Sequence, residues 1–134
     1  MTIARDGGCQ CGHLRYRIEG EPIGLVVCHC TECQRQSGSA FGMSLAIPSA
    51  AFRLLAGELA RFTVVADSGR SKICSFCPEC GCRIHHQVFE GALSVKAGTL
   101  DDTSALAPTE HYWTKRKQPW VLIPAGVRCI EDDG

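Results

Sequence analysis

Cys28-His29-Cys30-Thr31-Glu32-Cys33 brings three thiols into six residues, and the rest of the chain reads outward from it. Disulfides among these three would close loops of two or three residues, which the geometry of the bond does not tolerate. A metal ion satisfies them far more easily. Thiolate is a soft ligand that favours zinc, and C-x-C and C-x-x-C turns can bring sulfurs to about 2.3 Å from one ion. Three ligands leave one tetrahedral position over. Structural zinc sites are usually closed by four protein ligands, whereas catalytic sites keep a position for water or substrate. Cys28, Cys30 and Cys33 therefore read as an open, functional zinc centre.

Two further pairs lie on either side. Gly7-Gly8 leads into Cys9-Gln10-Cys11-Gly12, a C-x-C flanked by glycines, and Cys77-Pro78-Glu79-Cys80-Gly81 has the outline of a zinc knuckle. Together Cys9, Cys11, Cys77 and Cys80 make a closed four-sulfur set, a structural zinc that staples the N-terminal region to a central hairpin. Cys82 lies close enough to compete with Cys80. Cys74 and Cys82 read as core residues, and Cys129, beside an acidic and frayed end, as a free reactive thiol. A redox C-x-x-C of the thioredoxin kind belongs in a βαβ context that this chain lacks.

The segments between the cysteines read as strands. Leu14, Tyr16 and Ile18 alternate with His13, Arg15, Arg17 and Glu19, a period of two. Leu25 to Val27 leads into the three-cysteine stretch, which predicts a strand-to-helix turn. A short helix is expected over Glu32 to Gln36 with its stop at Gly38. Phe41 to Ile47 reads as a strand closed by Pro48, and Ser49 as the cap of a helical turn through Phe52. Leu59 to Val65 and Lys72 to Phe76 form a hairpin around Asp67-Ser68-Gly69. Arg83 to Val88, Leu93 to Ala97 and Thr109 to Trp113 are further extended segments, with 98–102 as a loop. The expected class is mainly β with short helical turns.

At 134 residues the chain is most simply one domain, expected over residues 5–122, with 123–134 as a C-terminal tail. Ten cysteines without a secretory leader at Met1 to Asp6 point to reduced thiols and a cytoplasmic setting. No run approaches the roughly 20 apolar residues that cross a bilayer, so no membrane role is expected. Fourteen basic and fourteen acidic residues cancel, and Lys115-Arg116-Lys117 is one short basic run, so no nucleic-acid role is expected either. Zinc bound by thiolates would add about −2 at a four-sulfur centre and about −1 at a three-sulfur one.

Each histidine reads first as an ordinary structural or surface residue. His29 alternates with the ligands and should point away from the ion. His85 and His86, adjacent on a strand, should face one inward and one outward. His111, beside Tyr112 and Trp113, could line a pocket.

The motif order resembles a known family. Gly8-Cys9-Gln10-Cys11-Gly12, then Cys28 to Arg35 with Gly38 and Phe41, then Phe76-Cys77-Pro78-Glu79-Cys80-Gly81 are similar to the glutathione-dependent formaldehyde-activating enzyme family, which shares its domain with centromere protein V. Ala97-Gly98-Thr99-Leu100-Asp101, His111-Tyr112-Trp113 and Pro119-Trp120 look like its later signatures. The resemblance implies a zinc-stapled, tent-like fold of several small coiled antiparallel sheets. It implies two Zn2+ per chain on the two cysteine sets already named. It also implies a carbon–sulfur lyase-like activity, in which a small thiol such as glutathione adds to formaldehyde or another small aldehyde. Cys82 departs from the family pattern, where a small hydroxyl residue commonly follows the glycine. Gln34 and Arg35, just after the open cluster, could contact a substrate carboxylate, Arg35 in bidentate fashion; a solvated helix face accounts for them equally well. The residues name no catalytic acid or base. The alternative is a non-catalytic zinc module that binds a protein partner or a small thiol.

Overall fold

The computed structural model describes residues 4–65, 69–87 and 89–132. It is mainly β. Among those residues eleven strands form two sheets. The smaller has β2 (Arg15–Glu19) between β1 (Ala4–Gly8) and β5 (Phe52–Ala56), both antiparallel to it. The larger has eight strands. Its middle is β3 (Gly24–Cys28), β4 (Gly42–Pro48), β9 (Ala92–Lys96) and β8 (Arg83–Gln87), paired antiparallel in that order. The hairpin of β7 (Ser71–Phe76) and β6 (Ala60–Val65) continues it on one side. On the other side β10 (Glu110–Tyr112) and β11 (Arg128–Ile130) add parallel pairings, β10 on β3 and β11 on β10. The single α-helix among the described residues, α1 (Thr31–Ser37), follows β3 directly.

One apolar cluster joins the two sheets. Tyr16 and Ile18 of β2 pack with Leu45 and Ile47 of β4, Ile84 of β8, and Leu93 and Val95 of β9. Tyr16 is fully buried, stacks on Phe52 at 5.1 Å between ring centroids, and shares a 2.6 Å hydrogen bond with Thr99. A buried tyrosine hydroxyl needs such a partner. Burial, ahead of that bond, pushes its phenol up to about 12.

Several expectations change. Gly7 and Gly8, which lead into the first cysteine pair, are the last residues of a strand; Gly7 faces Tyr16, and a Cβ there would run into the Tyr16 hydroxyl and the Thr99 carbonyl. Ser49 does not cap a helix. Ser49–Ala51 is a single 3-10 turn with Pro48 at the cap position, Ser49 donates its N–H to Gly91 O at 2.8 Å, and Phe52 starts β5. The end around Cys129 is a strand on β10, with Cys129 exposed. Of the turn expected at 67–69 only Gly69 is described, and Val88 also lies outside the described residues.

His85 and His86 are both buried, not one in and one out. β8 is an inner strand whose two faces are both covered. His85 meets the edge of Phe52 from the small sheet at 4.8 Å, while His86 lies opposite Cys74 and Ser94 on the face towards α1. Burial pushes His85 down to about 4 and His86 to about 2, so both fold as neutral rings. A folded pKa below the unfolded one means that the contribution is complete above pH 6.5 and is lost as pH falls towards 4. For His85 that amounts to about 2 to 3 kcal/mol. Urea midpoints at pH 7.5 and pH 5.0 should therefore differ markedly in the natural protein and less in His85→Asn. An equal pH dependence in the two proteins would contradict this account.

Candidate metal centres

Cys9 and Cys11 lie in the turn between β1 and β2, and Cys77 and Cys80 in the turn between β7 and β8. Their four sulfurs lie within 4.8 Å of one another. Cys9 to Cys11 is 3.6 Å and Cys11 to Cys77 is 3.8 Å. A tetrahedral ion with bonds of about 2.3 Å requires sulfurs about 3.8 Å apart, so the spacing fits. Backbone amides already point at the sulfurs: Leu14 N–H donates to Cys9 Sγ at 3.2 Å and Glu79 N–H to Cys77 Sγ at 3.3 Å. The knuckle closes through Gly81 N–H to Cys77 O at 2.8 Å, with Gly81 at φ 79°, a conformation that favours glycine. Cys9 and Cys77 are buried, Cys11 and Cys80 exposed. Burial raises the Cys9 thiol, but the Leu14 N–H and the neighbouring sulfurs outweigh it and leave Cys9 lowered. The His13 N–H pulls Cys11 down, and burial and the same neighbours push it up on balance. Cys82 is half-buried, raised chiefly by burial, and stands outside the four-sulfur group; Cys74 is fully buried.

The second group is Cys28, Cys30 and Cys33, again within 4.8 Å of one another. Cys28 is the last residue of β3, opposite Gly42 of β4 and Tyr112 of β10. Cys30 is the N-cap of α1: its backbone is extended (φ −63°, ψ 159°), and its sulfur accepts from Cys33 N–H at 3.3 Å. Cys33, one turn in, is buried against Gly42, where a Cβ would sit 3.3 Å from Cys33 Cβ. The helix ends, as expected, at Gly38 in the left-handed region. Crowded thiols cannot all ionise alike. Hydrogen bonds from Cys28 and Cys33 lower Cys30, and the bond to Cys30 raises Cys28. A soft dication is the partner such a set suits.

His29 does point away. It is fully buried, and its Nε2 is 2.8 Å from Nδ1 of His111, which is buried too and so does not line an open pocket. Its N–H donates to Tyr112 O at 2.9 Å. Among the described residues no fourth histidine, cysteine or carboxylate joins the three sulfurs. Gln34 and Arg35 part company. The Gln34 amide donates to His29 O at 2.9 Å and Arg116 O at 3.0 Å and accepts from Gln118 at 3.0 Å, so it ties α1 to the segment after β10. Arg35 is exposed and borders both Trp120 and the β6–β8 side of the sheet at Lys72 and Arg83. The basic run is taken up locally: Lys115 pairs with Asp132 at 3.2 Å, and Lys117 donates to Val121 O at 2.8 Å.

Lys96 and Arg83 went unremarked in the sequence. Both line a cleft of about 490 Å³ that also includes Gln36, Phe41, Gly42 and Cys80. The cleft thus borders the four-sulfur group at Cys80 and reaches Gly42, against which Cys33 packs.

A family model described as glutathione-dependent formaldehyde-activating enzyme matches residues 4–116. Three chains of solved structures match. One is the crystal structure of a Rhodobacter sphaeroides protein, a structural genomics target. It is 19% identical with a TM-score of 0.59 over 75% of this chain and 91% of that one, a likeness of fold. Comparison with curated proteins gives no match. No helix among the described residues is long and apolar enough to cross a membrane.

Proposed function

Since the chain belongs to the glutathione-dependent formaldehyde-activating enzyme family, we propose that it adds a small thiol, glutathione in the first instance, to formaldehyde or a similar small aldehyde. The observation that carries this reading is the inequality of the two cysteine groups: four sulfurs in one and three in the other, with no further protein ligand near the three among the described residues. We assign zinc to both, structural at Cys9, Cys11, Cys77 and Cys80 and functional at Cys28, Cys30 and Cys33. Cys28, Cys30 and Cys33 would hold the functional ion, and the chemistry it would supply there is activation of a substrate thiol by lowering its pKa.

The chain's own part is placement. β3, fixed between β4 and β10, sets Cys28; the helix cap sets Cys30; the first turn of α1 sets Cys33. Gln34 holds the helix in register, and the His29–His111 pair fills the space behind it. A thiol held at such a site beside an aldehyde reacts as though within one molecule. The new bond joins sulfur to the carbonyl carbon, the thiol proton ends on the carbonyl oxygen, and no electron acceptor is needed. The product is the S-hydroxymethyl adduct of the thiol, a hemithioacetal, and the reaction class is that of carbon–sulfur lyases. Its ten unpaired cysteines suit a reducing compartment, and we place the protein in the cytoplasm.

Adduct formation from formaldehyde and glutathione, followed by NMR beside metal analysis, tests this. Two ions per chain and a rate above the spontaneous background are expected. A background rate from protein carrying both ions would favour a non-catalytic zinc module instead.

A further inference from the structure

The large sheet has a second face, turned towards α1. Residues opposite one another in an antiparallel pair share a face. The pairs Cys28–Gly42, Ser44–Lys96, Ser94–His86 and His86–Cys74 therefore form one continuous row. Lys72, two residues before Cys74, belongs to the same row and pairs with Glu32 of α1 at 3.7 Å. Lys96 has no such partner: its Nζ is buried and makes no hydrogen bond. Arg83 Nε is likewise buried and unbonded, while its guanidinium lies over the Phe62 ring at 4.9 Å. Both line the 490 Å³ cleft, and no Asp or Glu is among its lining residues. Its wall at Gly42 is the surface against which Cys33 packs.

Neither Lys96 nor Arg83 forms an ion pair with a carboxylate among the described residues, and cations left so beside an open route to solvent attract an anion. Burial pushes Lys96 down to about 8 even with Cys33 nearby. Lys96 offers a compact point charge and Arg83 a fixed planar donor, the combination that holds a carboxylate.

We propose that this cleft is a carboxylate subsite: Lys96 and Arg83 hold an acid group of the thiol substrate, so that its sulfur lies towards Cys28, Cys30 and Cys33. The proposal rests on the reading of those three residues as a thiol site, yet concerns different residues. It assigns the acid group to Lys96 and Arg83, where the sequence pointed to Gln34 and Arg35.

The test separates the two claims by binding alone. S-methylglutathione, whose sulfur is capped, and its dimethyl ester, whose carboxylates are capped, are titrated calorimetrically into the metal-loaded protein. The natural protein should bind the acid roughly tenfold or more tightly than the ester. Lys96→Met should lose that preference and keep its affinity for the ester, and Arg83→Gln should lose part of it. Removing an unpaired buried charge spares the fold, so Lys96→Met should melt no lower than the natural protein. Equal affinity for acid and ester in the natural protein, or an undiminished preference in both variants, would overturn the subsite. Acid preference that depends on Lys96 in a protein that forms no adduct would uphold the subsite and sink the thiol-addition reading; adduct formation without acid preference would do the reverse.

Discussion

Cys77→Ser is expected to leave no cooperatively folded protein. Cys77 is fully buried, its sulfur lies 3.8 Å from that of Cys11, and the Glu79 N–H donates to it. The four-sulfur group connects the β1–β2 turn of the small sheet to the β7–β8 turn of the large one. Apparent free energies of structural zinc sites are about 10 to 16 kcal/mol, while whole domains are stable by only about 5 to 15 kcal/mol. Losing one of four ligands should therefore exceed what the apolar cluster supplies alone. Serine also leaves a hydroxyl where a thiolate accepted a bond. Far-UV circular dichroism through a thermal ramp, with metal analysis of the same sample, gives the answer. A cooperative transition within a few degrees of the natural protein's would show that the sheets hold together without this centre.

Cys30→Ser should do the opposite, abolishing thiol addition while sparing the fold. The Cys30 sulfur caps α1 by accepting from Cys33 N–H, and a serine hydroxyl is a better N-cap than a thiol. The helix thus keeps its first turn while the three-sulfur group drops to two sulfurs. On the proposed mechanism the gain over background, on the order of a hundredfold or more from placement of the thiol beside the aldehyde, should disappear along with one of the two ions. If Cys30→Ser loses its ion and still turns over at the natural rate, the chemistry lies elsewhere. Comparing the two variants assigns one centre to folding and the other to reaction.

The cysteine groups were legible because ligand spacing is local: C-x-C and C-x-x-C turns are written in adjacent residues, and the two outer pairs, read as one set, do lie within 4.8 Å of one another. β2, β3, β4 and β7 were legible because their apolar residues follow the period of a half-buried strand or form a run. β1 and β5 were not. Ala4–Gly8 carries no apolar alternation; it pairs along its length with β2, and Gly7 leaves the space that Tyr16 fills, while Leu54 and Leu55 of β5 are exposed. Lys96 was hidden for a related reason. Leu93-Ser94-Val95-Lys96 reads as one core face and one wet face, and only the return of α1 across the sheet encloses the second. The same holds for His86, and for Gln34, whose amide partners at residues 116 and 118 are remote in sequence.

The two centres differ in how far along the chain their ligands are spread, and this bears on synthesis. Cys28, Cys30 and Cys33 leave the ribosome almost together, whereas the sulfurs at positions 9 and 11 wait until position 80 has emerged. His111, which buries His29 behind the three-sulfur group, comes later still. A nascent chain therefore completes its three-sulfur group first, before the scaffold that will shelter it exists.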